Sequence, residues 1–239
     1  MIEVISIPIE ETLPEVDGIL SRQGIDDLEL ADDRTLKMAK KAVKDYALFA
    51  SPMGIMARIT NSDFEAVYRG EGDNESETPI DLIYPDASGL ALYAVTLGEG
   101  ISAGIGLYFK QNDFAAGSML DAAASEGTEL AARYLESLYR KRIRDNGHLS
   151  NSTGALRFSP GYCGWHVSGQ KKLFDYLQPD KIGIDLTGSY LMKPLKSISG
   201  AIISGPAHIF EFEDNFNFCA SCEDHSCRER IASLTEIKN

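Results

Sequence analysis

Residues 156–177 read LRFSPGYCGWHVSGQKKLFDYL, which sets an arginine, a Gly-Tyr pair, a cysteine and the chain's single tryptophan ahead of a short helical pattern. Arg157 stands three intervening residues before Gly161 and Tyr162. A guanidinium suits a bidentate carboxylate, Gly161 lets main-chain amides reach a flat ligand, and Tyr162 brings a ring face and a hydroxyl. That set matches an amino-acid-like ligand with an aromatic base. The residues alone admit a second reading, in which Arg157 pairs with a surface carboxylate and Ser159, Pro160 and Gly161 form a turn. Trp165 and His166 read first as packing and turn-capping groups, although a loop imidazole also serves as a base.

Working outward, residues 168–179 (SGQKKLFDYLQP) predict a helix with a Ser cap and a Pro stop, and residues 183–214 have the Thr, Ser, Ile and Gly texture of strands separated by turns. Upstream, the longest helical signal runs from about residue 114 to Arg144, with a stripe from Phe114 through Leu120, Ala123 and Gly127 to Leu138 whose first half is small residues. Small residues let another backbone approach closely. Residues 32–52 give an amphipathic helix behind aspartate caps, with Leu36, Ala39, Ala42 and Tyr46 at helical spacing. Residues 54–70 (GIMARITNSDFEAVYRG) alternate well enough to predict strands, and the acidic stretch 70–79 (GEGDNESETP) predicts an exposed loop. Helices and strands mix without a βαβ rhythm. The expectation is an α+β domain with a largely antiparallel sheet over residues 1–239, ending in a Cys-rich tail from 215 to 239.

The chain has 239 residues, 44% of them hydrophobic, and a formal charge of −13, which is enough to bury a sizeable core and repels phosphate backbones and anionic lipid. Nucleic acid and membrane are therefore not expected partners. With no apolar run of about 18 residues and glutamates where a signal peptide needs basic residues, the expected compartment is the cytoplasm. TLGEGISAGIG (residues 96–106) has neither dinucleotide-fold nor P-loop spacing, so its glycines are read as a tight strand-to-helix turn. No Ser-His-Asp order, carboxylate pair or HExxH supports a hydrolase.

Three of the four cysteines, Cys219, Cys222 and Cys227, form C-x-x-C-x-x-x-x-C around His225. This spacing converges thiolates on a metal ion or cluster, with Cys163 or His225 as a fourth ligand; zinc and an iron-sulfur cluster both fit, and a frayed tail of reduced cysteines is the alternative.

RFSPGY, the KKLFDYL helix and LTGSYLMKPLKSISGAI (residues 186–202) together resemble, in order and spacing, the activation domain of cobalamin-dependent methionine synthase, which carries Arg-x-x-x-Gly-Tyr, a Lys-bearing helix and Leu-Thr-x-Ser-x-x-Met-x-Pro-x-x-Ser-x-Ser-Gly. The strand and long helix upstream, ALYAVTLGEG and FAAGSMLDAAASEGTELAARYLESL, also resemble the stand-alone members, so the likeness covers roughly residues 89–205. It implies a mainly antiparallel bent sheet flanked by helices and a site for S-adenosylmethionine. On that basis Arg157 would hold the ligand carboxylate, the backbone at Ser159 and Gly161 would meet adenine, Tyr162 would pack beside it, Glu129 would supply an acidic partner, and Phe210 would stand for a late tyrosine. The sequence departs from the family at CGWHVSGQ, where the larger enzymes have Pro-Ala-Cys-Pro and an acidic-His pair, and lacks the family's Asp-Trp segment.

The resemblance further implies reductive remethylation of a cobalamin supplied by a partner. That partner is expected to be a separate corrinoid-binding methyltransferase, or a methionine synthase without its own activation domain, with a flavodoxin- or ferredoxin-type electron donor. A non-catalytic adaptor and a metal-containing redox protein that docks on corrinoid proteins are the alternatives. As a loop residue outside any apolar stripe, Arg157 is expected to be removable with loss of ligand binding and little loss of stability.

Overall fold

The computed structural model describes residues 1–145, 153–211 and Phe216. Along the chain come β1 (Ile2–Ser6), α1 (Val16–Ser21), α2 (Asp33–Phe49), β2 (Met53–Ile59), α3 (Asn61–Arg69), α4 (Pro79–Ile83), β3 (Gly89–Thr96), α5 (Glu99–Lys110), α6 (Phe114–Asp145), β4 (Thr153–Phe158), α7 (Gly169–Leu177), β5 (Asp185–Leu186), β6 (Met192–Lys193) and β7 (Ser197–Pro206). Five strands form one sheet in the order β1-β2-β3-β7-β4, every pair antiparallel, and β5 and β6 make a separate hairpin. The α+β expectation holds.

Both sheet faces are covered, which is why β3 (GLALYAVT) and the middle of β7 read as continuous apolar runs rather than alternating ones. On one face Met56, Ala91, Tyr93, Val95, Ala155 and Ile202 meet Ala131, Leu135 and Tyr139 of α6. On the other, Leu92, Leu156, Phe158 and Ile203 meet Phe64, Tyr68, Ile80, Leu173 and Trp165 from α3, α4, α7 and the loop before it. A third core joins α1, α2 and α5 to the N-terminal half of α6 through Ile19, Leu20, Tyr46, Ile101 and Leu120.

The long helix runs along β7. Lys196, just before β7, reaches Asp121 at 2.8 Å, and Ser204 near its far end bonds the Tyr139 hydroxyl at 3.0 Å. The small-residue stripe does what its composition predicts: Gly127 faces the fully buried ring of Tyr46 on α2, where a Cβ would come within 2.4 Å of ring atoms. Gly98 starts α5 with φ +79°, the tight strand-to-helix turn expected there.

Two expectations need correction. Residues 54–70 are not all strand. After β2, the Thr60 side chain accepts from the Asp63 amide and starts α3, so a capping pair overrides the β texture of the preceding residues. Ser168 sits at the start of α7 but makes no capping bond; its hydroxyl lies 2.8 Å from His166 Nδ1 and donates to Asp73 at 3.2 Å.

Gly127→Ala gains helix propensity of about 1 kcal/mol but forces a methyl into Tyr46, so a net loss of about 1–2 kcal/mol is expected in chemical denaturation. Gly106→Ala, on α5 with nothing within 4 Å of the new methyl, should instead stabilise by up to about 1 kcal/mol.

Candidate functional site

Arg157 is on β4, opposite Ile202 of β7, on the sheet face that α6 covers. Glu129 and Glu136 lie seven residues apart on α6, close to two full turns, so both carboxylates share one side of the helix. They converge on the arginine. Arg157 Nε donates to Glu136 Oε2 at 2.9 Å, and Nη2 stands 3.5 Å from Glu129 Oε2. Glu136 also receives Arg140 Nε and Nη2 at 3.0 and 2.9 Å, and Arg140 reaches on to the carbonyl of Ala155 on β4. The cluster grades from buried to open: the side chains of Arg157, Glu136 and Glu129 are 7%, 16% and 38% exposed. Burial pulls the guanidinium pKa down, but Tyr93, Glu136 and Glu129 outweigh it and hold it above its ordinary value. The buried Tyr93 hydroxyl acts from beside the guanidinium without a hydrogen bond of ordinary geometry.

Arg157 is therefore not the loop residue expected from the sequence. It ends an apolar strand as the charged member of a packed face, and its removal strands Glu136.

The β4–β7 ladder stops at Phe158 opposite Ala201, whereas β7 continues along β3 back to Ser197. Residues 197–200 thus pair on one side only among the described residues. Ser197, Ser199 and Gly200 of this stretch are nevertheless buried, and the neighbouring Lys196 meets the polar side of α6. Along α6 that side carries Asp121, Ser125 and Glu129 at four-residue steps, with Lys196 bonded to the first two at 2.8 Å each. Where the β4–β7 ladder ends the backbones are tight: a Cβ on Gly200 would lie 2.2 Å from the Phe158 carbonyl.

Beyond Phe158 the chain turns through Ser159, Gly161 and Tyr162. The turn closes on itself through Gly161 N–H to the Trp165 carbonyl at 2.7 Å and Tyr162 N–H to the Ser159 carbonyl at 3.1 Å. Gly161 has φ +96° and open space around it, a conformation that favours glycine. Trp165 anchors the loop. It is 1% exposed, packs edge-on against Phe64 and Tyr68 at 6.1 and 5.7 Å, and leaves no room for a side chain at Gly169. Tyr162 is displayed outward at 54% exposure. The acidic stretch 70–79 braces the same loop: the Asn74 side chain accepts from the His166 amide at 2.9 Å, and the Glu75 amide donates to the Gly164 carbonyl at 3.0 Å. His166 is accordingly a tie between two loops.

The fold brings Glu129, Arg157, Ser159, Gly161 and Tyr162 to one end of β4. Phe210 is not among them. Its ring is fully buried in the core on the other sheet face, with Trp165, Leu173 and Phe158. Cys163 lies half-buried against that core. Cys219, Cys222, His225 and Cys227 lie outside the described residues, and among the described residues no group of three His, Cys, Asp or Glu side chains is placed to hold a metal ion. Glu136, Arg140 and Tyr93 escaped the sequence reading. The seven-residue step from Glu129 to Glu136 was a usable signal; nothing in the sequence pointed to Tyr93.

A five-stranded antiparallel sheet with α6 over one face, a buried guanidinium near the end of β4 and a braced Gly-Tyr turn after it define the architecture of this α+β domain. Residues 38–214 match the family model described as vitamin B12 dependent methionine synthase, activation domain, and the chain belongs to that family. Thirteen chains of solved structures match; one is the MetH reactivation domain bound to AdoHcy, with a TM-score of 0.64, 18% identity, and coverage of 100% of this chain and 88% of that one. At that identity the likeness shows the fold. A search of curated proteins gives no match. No helix among the described residues is long and apolar enough to cross a membrane.

Arg157→Ala removes one member of a buried ion pair, so a loss of about 2–4 kcal/mol is expected in urea or thermal unfolding. A melting curve unchanged from the parent would contradict the burial of this pair.

Proposed function

We propose that this protein binds S-adenosylmethionine at the end of β4, beside Arg157 and the Gly161–Tyr162 turn, and presents its methyl group to the cobalt of a cobalamin held by a separate corrinoid protein. The observation that carries the reading is the Arg157–Glu129 contact. At 3.5 Å it is loose, its carboxylate is part-exposed, and the guanidinium has N–H groups to spare, so a ligand carboxylate can enter without unmaking the tight bond to Glu136. Gly161 leaves main-chain groups approachable by a flat adenine, and the exposed ring of Tyr162 gives it a face.

In this reading the protein's own chemistry is placement. Arg157 fixes the amino-acid end, Glu129 faces the ligand's hydroxyls or ammonium, and the braced turn fixes the base, which leaves the sulfonium methyl facing out toward the partner. When bound, the ligand supplies an electrophilic methyl. Its S–CH3 bond breaks with both electrons staying on sulfur, and the carbon bonds to a partner cobalt reduced by one electron from a flavodoxin- or ferredoxin-type donor, leaving S-adenosylhomocysteine. The family membership and the AdoHcy in the related reactivation domain support this assignment.

Two measurements test it. Calorimetric titration of the purified protein should give saturable heat with S-adenosylmethionine and with S-adenosylhomocysteine. Mixing it with an oxidised corrinoid protein, a reductant and methyl-labelled S-adenosylmethionine should place label on cobalt only when all are present. Binding without transfer would leave the corrinoid partner misassigned; no binding at all would favour the adaptor.

A further inference from the structure

Of the two carboxylates that meet Arg157, one need not touch the proposed ligand. Glu136 is the less exposed of the two glutamates, and it makes the shorter bond. Arg140 holds its other oxygen with two bonds and is itself tied to the β4 backbone. We infer that Glu136 is a positioning residue. It grips Arg157 by Nε and so aims the terminal nitrogens of the guanidinium toward the side of the more exposed Glu129, where a ligand carboxylate would dock. This rests on the methyl-donor reading above and adds to it the residue that sets selectivity for a ligand with an amino-acid end.

The alternative effect of Glu136 is electrostatic: a negative charge near the guanidinium weakens its pull on any anion. Orientation wins over charge here for a geometric reason. Glu136 already shares its charge with Arg140, whereas without it Arg157 has only Glu129 as a carboxylate partner among those that pair with it. Glu129 is the more exposed and 3.5 Å away. A guanidinium released from Nε can swing to meet it with two parallel bonds, and those are the same nitrogens that the ligand carboxylate requires. The site would then be closed by its own glutamate.

The test compares two probes, S-adenosylhomocysteine, which has the amino-acid end, and 5′-methylthioadenosine, which lacks it. In Glu136→Gln, which keeps the shape, affinity for S-adenosylhomocysteine should fall roughly ten-fold or more while affinity for methylthioadenosine stays within about two-fold. Glu136→Asp keeps the charge but withdraws it by one methylene, and should show the same selective loss. A structural defect would weaken both probes together, and that result, or tighter binding of S-adenosylhomocysteine by either variant, overturns the assignment to Glu136 alone. A parent protein that binds neither probe overturns the methyl-donor reading and this inference with it.

Discussion

The placement of α6 governs the rest of the molecule. At Gly127 the helix comes so close to α2 that the Tyr46 ring occupies the space of a missing side chain, and farther along Leu135 fills the same kind of space over Gly54 of β2. Two glycines, one on the helix and one under it, thus set its height above its neighbours. With side chains at those points the helix would have to lift, and its carboxylates would lift with it. Close-packed interiors respond to such changes as units, because a gap of even half an ångström forfeits much of the contact energy. A stripe of small residues that makes no chemistry of its own therefore decides whether Glu129 and Glu136 reach Arg157 at all.

Burying the arginine adds a second constraint. A guanidinium that is almost wholly out of water is tolerated only with its donors satisfied, and the desolvation cost of such a pair can match its Coulombic gain. As a stabilising device an apolar residue at the end of β4 would serve as well. What the cluster offers instead is direction. The pairing is strong on the inner side, through Glu136 and Arg140, and slack on the outer side, through Glu129. An asymmetric arrangement of this kind leaves hydrogen-bonding capacity on the side of the more exposed Glu129.

Much of this was legible in the sequence. Helical periodicity located α2, α6 and α7, the lack of a βαβ rhythm pointed to an antiparallel sheet, and three separated motif blocks pointed to the family that the chain belongs to. The misses share a cause. Arg157 read as a loop residue because LRFSP ends in turn formers, and only the pairing of β4 with β7 shows that it is the last strand position on the face that α6 covers. Glu136 went unnoticed because its partner is 21 residues away and meets it only across a packed interface. Residues 61–69 read as strand because local β texture precedes them, while the cap at Thr60 is a single side-chain bond. Periodicity reports which face is buried, not what a buried charge is paired with.

The turn after β4 shows how a surface segment can be both irregular and fixed. Its residues depart from regular structure: Gly161, Cys163 and Gly164 all have positive φ. Such a segment would be costly to order for a ligand if it stood alone, since each residue fixed on binding carries about 1–2 kcal/mol of backbone entropy. Here that ordering is met by folding. Trp165 sinks into the aromatic cluster of Phe64 and Tyr68, the stretch from Asp73 to Glu75 bonds the loop from its far side, and Gly169 makes room for the indole. The tryptophan that looked like one more functional group in a crowded motif is the reason the groups around it can be held still, and under the proposed reading such a preordered turn lowers the entropy lost when a flexible, extended ligand binds.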